Sequence, residues 1–117
     1  MLAKKYRLSK RPDIEAVFKK GRRINHPLFV LYIMHNRLGY SRFAFPVSKK
    51  VSKKAVERNR IRRMERESVR VHYKDISAGN DVIIIATQRT LEIKKAYLLW
   101  ESLRTIFKKQ GLLISLV

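Results

Sequence analysis

The chain has 117 residues, with 28 Lys and Arg against 9 Asp and Glu and a formal charge of +19. Its 45% apolar content fills one hydrophobic core but not two. The absence of cysteine excludes disulfides, Cys-ligated zinc, iron–sulfur clusters and a thiol nucleophile. An excess of one sign repels itself in a folded body unless a polyanion neutralises it, so a polyanion is the expected partner. No apolar run nears the roughly 20 residues that span a bilayer, and the basic N-terminus lacks the apolar stretch of a signal peptide. The expectation is a single cytoplasmic domain over residues 1–117, with neither a membrane nor a small molecule as partner.

Residues 9–20 read as a first helix: Pro12 and Asp13 fall in the first turn, Ile14, Val17 and Phe18 share one side, and Gly21 offers a left-handed stop. Residues 28–35 are apolar on both pleat faces and rich in β-branched and aromatic side chains, which predicts a central strand. A turn at Asn36-Arg37-Leu38-Gly39 and a returning strand over residues 40–47 would make a hairpin, with Pro46 at a strand end or edge. A further short strand fits around residues 22–25.

From Lys53 to about His72 there is neither Gly nor Pro. Helical periodicity gathers Ile61, Met64, Ser68 and Val71 on one side and Arg62, Arg63, Arg66 and Arg70 on the other. Residues 77–81 break this helix, and residues 82–86 form an apolar strand that must be covered on both faces. Thr90 can cap a last helix whose inner stripe is Ala96, Leu99, Leu103, Ile106 and Phe107, ending at Gly111. Strands interleaved with helices predict a mixed sheet with helices packed on it.

The charge is concentrated. Eleven basic residues lie between positions 49 and 74 (Lys49, Lys50, Lys53, Lys54, Arg58, Arg60, Arg62, Arg63, Arg66, Arg70, Lys74) against three acidic ones, Glu57, Glu65 and Glu67. Arg58, Arg62 and Arg66 repeat at i, i+4, i+8, where an ordinary solvated helix face would mix signs. Without a counter-anion they repel, and the guanidinium fork suits phosphate. A second basic cluster over residues 4–23 has aromatics nearby, and cations beside aromatics suit single-stranded nucleic acid. Most of these aromatics are expected in the core; Phe18 and Tyr32 are the preferred ligand contacts.

An enzyme acting alone is a poor fit. The acids are scattered, with Glu65 and Glu67 about 200° apart on their helix, so no carboxylate cluster holds a divalent ion. His26, His35 and His72 show no ligand spacing and no adjacent carboxylate, and Ser48 and Ser52 no obvious base.

The segment Phe45-Pro-Val-Ser-Lys-Lys-Val-Ser-Lys-Lys-Ala-Val-Glu-Arg-Asn-Arg-Ile-Arg-Arg-Met-Glu-Arg-Glu resembles the signature of the protein subunit of bacterial ribonuclease P, an Arg-Asn-Arg helix preceded by Ser-Lys-Lys. The likeness extends to Val17-Phe18-Lys19-Lys20-Gly21, Phe29-Val30-Leu31-Tyr32 and Leu103-Arg104-Thr105-Ile106-Phe107 in the family's order. It implies an α+β fold, a single-domain α/β sandwich of order αβββαβα. Three helices would pack on a four-stranded mixed sheet with a left-handed βαβ crossover, against the roughly 98% right-handed norm.

The resemblance also implies a function. A large RNA would hold the catalytic Mg²⁺ and hydrolyse the phosphodiester joining the 5′ leader to precursor tRNA, while the protein, with no cofactor and no catalytic group of its own, binds that RNA and the leader. Carried over, Lys49, Lys50, Lys53, Lys54, Arg58, Asn59, Arg60, Arg62, Arg63, Arg66 and Arg70 would bind RNA. Ile14, Phe18, Val30 and Tyr32 would line the leader cleft. Ile14 stands where the family often has an aromatic, and Pro46 where a small residue is common; residues 112–117 match nothing and read as an added edge strand or a disordered end. Composition alone also suits a ribosomal or RNA-chaperone protein, or a DNA-binding regulator with its Arg-rich helix in the major groove.

Overall fold

The computed structural model describes residues 2–114. Its elements in chain order are α1 (Arg11–Lys20), β1 (Arg22–Asn25), β2 (Phe29–His35), β3 (Arg42–Ala44), α2 (Ala55–His72), β4 (Asn80–Ala86) and α3 (Ala96–Lys109), with 3-10 turns at Lys4–Tyr6, Tyr73–Asp75 and Gln88–Glu92. The order αβββαβα is the expected one. The four strands form one sheet in the order β1-β2-β4-β3, with β1–β2 and β2–β4 antiparallel and β3–β4 parallel. The sheet is therefore mixed, and β3, α2 and β4 make a βαβ crossover.

The predicted hairpin between residues 28–35 and 40–47 does not form. Only Arg42–Ala44 is strand, and Phe43 stands opposite Val82 of β4 rather than beside β2. Strands β2 and β4 are both apolar on two faces, so both take central places. A polar stitch then fixes β3 on the far side of β4. The Tyr73 hydroxyl donates to the Ser41 carbonyl at 2.8 Å and accepts from the Ser41 N–H at 3.1 Å, while Ser41 Oγ donates to the Ser77 carbonyl at 2.8 Å. The hairpin that does form is β1–β2, with Ile24 facing Leu31.

One pleat face, carrying Phe29, Leu31, Ile33, Phe43, Val82 and Ile84, packs on Met64 and Val69 of α2 and on the inner stripe of α3. The other face presents Ile83 to Val17 of α1 and to Leu8. Strand β4 is thus covered on both sides, as its unbroken apolar run requires.

Four local expectations change. Gly21 is extended, at φ −73°, and not left-handed. Glycine is needed there for space, because a Cβ would lie 2.4 Å from the Val17 carbonyl oxygen. Thr90 does not cap α3; it lies in the turn Gln88–Glu92 in a reciprocal cap with Thr87, and its hydroxyl donates to the Leu28 carbonyl at 2.6 Å. Helix α3 buries Leu99, Leu103, Ile106 and Phe107 of its predicted stripe, leaves Ala96 half-buried, and adds Trp100, which lies under His72 with ring centroids 4.1 Å apart. On α2, Val71 is 56% exposed, and Glu65 and Val69 are buried instead, because the helix packs against α3 as well as the sheet and its inner stripe is turned toward both. Of the C-terminal segment, Leu112 is buried and Leu113 bridges Ile76; residues 115–117 lie outside the described residues.

Glu65 is the anomaly of this core. It is wholly buried, and among the described residues neither carboxyl oxygen finds a hydrogen-bond partner. Burial pushes its pKa well above the usual carboxylate range, and Arg62 and Arg66 pull it back only in part. The native state keeps the proton while the unfolded chain releases it, so stability falls as pH rises from the unfolded value, about 4.5, toward the raised folded value. Glu65→Leu is expected to raise stability at neutral pH by about 1–3 kcal/mol and to flatten that decline. Urea unfolding at acidic, neutral and alkaline pH checks both; a variant that keeps the wild-type pH slope would exonerate Glu65.

Candidate nucleic-acid interface

Helix α1 lies across the sheet face that β2 offers through Val30, Tyr32 and Met34, and the cleft between them is aromatic and cationic. Phe18 is 43% exposed and meets Tyr32 edge-on at 4.8 Å between ring centroids. Ile14, one turn earlier on α1, is half-buried beside them. Arg23 faces Tyr32 across the β1–β2 ladder, donates to its hydroxyl at 3.2 Å and holds its guanidinium 5.7 Å from the ring centroid. Sequence reasoning placed Arg23 in a basic cluster but not in the cleft; only the cross-strand register puts it there. Val30 follows on the same face between Asn25 and Ile85.

A buried ion pair orients the helix over this face. Arg42 of β3 donates from Nε and Nη2 to Asp81 of β4 at 2.9 and 2.7 Å, and from Nη1 to Asp13 of α1 at 3.2 Å. Asn36 Nδ2 adds a bond to Asp81 at 2.8 Å. The hydrogen bond to Asp81 raises the Arg42 pKa, so the guanidinium stays charged.

The second cationic region is α2 and the loop before it. Lys49, Lys50, Lys53, Lys54, Asn59, Arg63 and Arg70 are exposed, and Arg70 pairs with Glu67. Arg58 and Arg62 lie on the flank toward the incoming loop: Arg58 Nη1 donates to the Ser52 carbonyl at 2.9 Å, and Arg62 donates to Asn59 Oδ1 at 2.6 Å and the Val47 carbonyl at 3.4 Å. Arg60 is not with them. It sits about 160° around the helix from Arg62 and donates to the carbonyls of Ile93 at 2.8 Å and Leu91 at 3.3 Å.

Two polar residues have partners that the sequence did not suggest. Ser52 Oγ donates to Glu57 at 2.6 Å and accepts from the Lys54 N–H at 3.1 Å, an arrangement that shapes the entry to α2 and holds the Glu57 carboxyl below its usual range. His72 has Asp75 Oδ2 at 3.8 Å because the 3-10 turn after α2 brings that carboxylate back.

A groove of about 460 Å³ connects the two regions, running past Ile14 and Phe18 of α1, Ala44 and Pro46, and Arg62 and Arg66 of α2. Its lining combines apolar and aromatic side chains with guanidinium groups, a combination that suits a base and its phosphate. A larger cavity of about 740 Å³ lies beside His72, Trp100, Arg104 and Lys108, but Asp75 and Glu101 share its wall and weaken its field. Among the described residues no three His, Asp or Glu side chains converge to hold a metal.

The model of the family described as Ribonuclease P matches residues 2–111. The chain belongs to the ribonuclease P protein family. It is 38% identical over 110 residues to the ribonuclease P protein component of Clostridium kluyveri, covering 92% of this chain and 96% of that one. It is likewise 37% identical over 108 residues to that of an Exiguobacterium species, covering 92% of each. The solved RNase P protein of Staphylococcus aureus superposes with a TM-score of 0.83 at 32% identity, over 93% of this chain and 98% of that one. The RNase P protein of Thermotoga maritima does so with 0.79 at 29%, over 88% and 96%. Membership makes this chain the protein component of a tRNA-processing endoribonuclease whose chemistry is carried by RNA, and the groove between α1 and α2 is where its aromatic and cationic side chains meet.

Proposed function

We propose that α2 and its preceding loop grip the catalytic RNA of ribonuclease P through Lys49, Lys50, Lys53, Lys54, Arg58, Asn59, Arg62, Arg63, Arg66 and Arg70. The α1–sheet cleft of Ile14, Phe18, Val30 and Tyr32 takes the 5′ leader of precursor tRNA. The observation that carries this reading is a single groove lined by half-exposed Phe18 and by Arg62 and Arg66. Two RNAs repel each other, and a cationic wedge between ribozyme and leader lowers that repulsion and with it the Mg²⁺ needed for assembly. Mg²⁺ belongs to the RNA in this scheme; the protein supplies affinity and accepts many leaders, since stacking and phosphate contacts read little sequence. The cytoplasm, where precursor tRNA is processed in bacteria, is the compartment that fits.

The test is reconstitution with bacterial ribonuclease P RNA at low Mg²⁺, using precursor tRNA with and without its leader. Wild-type protein should restore cleavage. Activity no higher than that of RNA alone would reject the reading. Tyr32→Ala is expected to lower the preference for precursor over mature tRNA by about 5- to 100-fold, the worth of one stacked base, with binding to the catalytic RNA nearly constant. Equal losses for both tRNAs would remove Tyr32 from the leader cleft.

A further inference from the structure

The second arginine of the Arg-Asn-Arg motif, Arg60, is used differently from its neighbours. Both terminal nitrogens of Arg60 are committed to backbone, to the carbonyls of Ile93 and Leu91, on the flank of α2 away from Arg62 and Arg66. The segment it holds includes the 3-10 turn Gln88–Glu92, and that turn has three other attachments. Thr87 Oγ1 and Thr90 Oγ1 donate to the Pro27 and Leu28 carbonyls at 2.9 and 2.6 Å. Leu91 packs on Val47, Val51, Ile61 and Ala86. Gln88 Nε2 reaches across to the Lys50 carbonyl at 2.9 Å. The basic loop before α2 is thus braced from two sides, by Arg58 through the Ser52 carbonyl and by the turn through Lys50.

We propose that Arg60 is a positioning residue for RNA binding: it clamps the Gln88–Glu92 turn to α2, and the turn fixes the loop that presents Lys49, Lys50 and Lys53. This rests on the reading of α2 and its loop as the RNA-binding face. A guanidinium fork holds two carbonyls from two nitrogens in a fixed plane; an ammonium has three donors on one nitrogen and fixes no such geometry. Arg60 therefore acts through geometry, and its charge alone is no substitute.

The experiment measures binding of the full chain to ribonuclease P RNA across a salt series for wild type, Arg60→Ala, Arg60→Lys, Gln88→Ala, Lys50→Ala and the Arg60→Ala/Lys50→Ala double variant. Both Arg60 variants should lose about fivefold in affinity, with the log–log salt slope lowered to the same extent in both because the loop lysines no longer reach their phosphates, and with no rescue by lysine. Gln88→Ala, which cuts the brace without touching α2, should show a smaller loss of both affinity and slope and serves if Arg60→Ala fails to fold. The double variant should lose less than the product of the single losses, because Arg60 acts through the loop that carries Lys50. Full rescue of both affinity and slope by lysine would show a direct phosphate contact and overturn the proposal. Multiplicative losses with Lys50→Ala would also overturn it, reducing Arg60 to general stability. Failure of the wild type to bind the RNA would instead bring down the RNA-binding reading, and this inference with it.

Discussion

Asp81→Ala is expected to destabilise the protein by about 3–5 kcal/mol, enough to lower Tm by roughly 10–25 °C in a domain of this size. The Asp81 side chain is 2% exposed, and its carboxylate receives two bonds from Arg42 and one from Asn36. Removing it leaves a guanidinium that is 18% exposed and faces only the Asp13 carboxylate. The cost is that of a half-buried guanidinium left with one bond to a partly exposed carboxylate, which exceeds the net worth of the intact pair. Asp13 is 36% exposed, so Asp13→Ala should cost no more than about 1 kcal/mol. Thermal and urea unfolding of the two variants give the comparison. Equal small losses would mean that solvent screens the whole network. Because Arg42 also ties α1 to the sheet, Asp81→Ala should disturb the leader cleft before it disturbs α2.

Replacing Arg62 and Arg66 together by alanine is expected to weaken binding to the catalytic RNA by about 10- to 100-fold at moderate salt. The log–log salt slope should fall by about 1.5, two phosphate contacts at 0.7–0.9 each. Neither side chain carries a buried ion pair: Arg62 reaches Asn59 and the Val47 carbonyl, and alanine favours the helix. Circular dichroism should therefore be unchanged. A normal slope with weakened binding would show that the two arginines shape the groove without touching phosphate.

Much of this was legible in the chain itself. The period of apolar residues located α1, α2, α3 and β4, and the double-sided apolarity of residues 28–35 made β2 a central strand. The repeat of Arg58, Arg62 and Arg66 marked the cationic helix. Phe18 and Tyr32 were chosen for a partly exposed edge, and both have one. What failed was pairing and facing. Residues 40–47 read as the return of a hairpin because a turn precedes them, yet hydrogen bonds from Tyr73 and Ser41, far apart in sequence, place β3 against β4. Val71 fits the inner stripe of an isolated helix, and Glu65 does not. In the fold, α2 meets two surfaces, and the stripe turns toward both.

Length, charge and periodicity along the chain, being local quantities, determined that this is one cationic α/β body made to hold a polyanion, and which helix carries the charge. Which arginine faces a groove and which clamps a backbone, the seating of Arg23 on Tyr32, and the burial of Glu65 depend on neighbours contributed by other elements. Those were decided by the packing of α2 against both the sheet and α3 and by the order in which the strands pair, because contacts between residues distant in sequence are fixed only when the core closes.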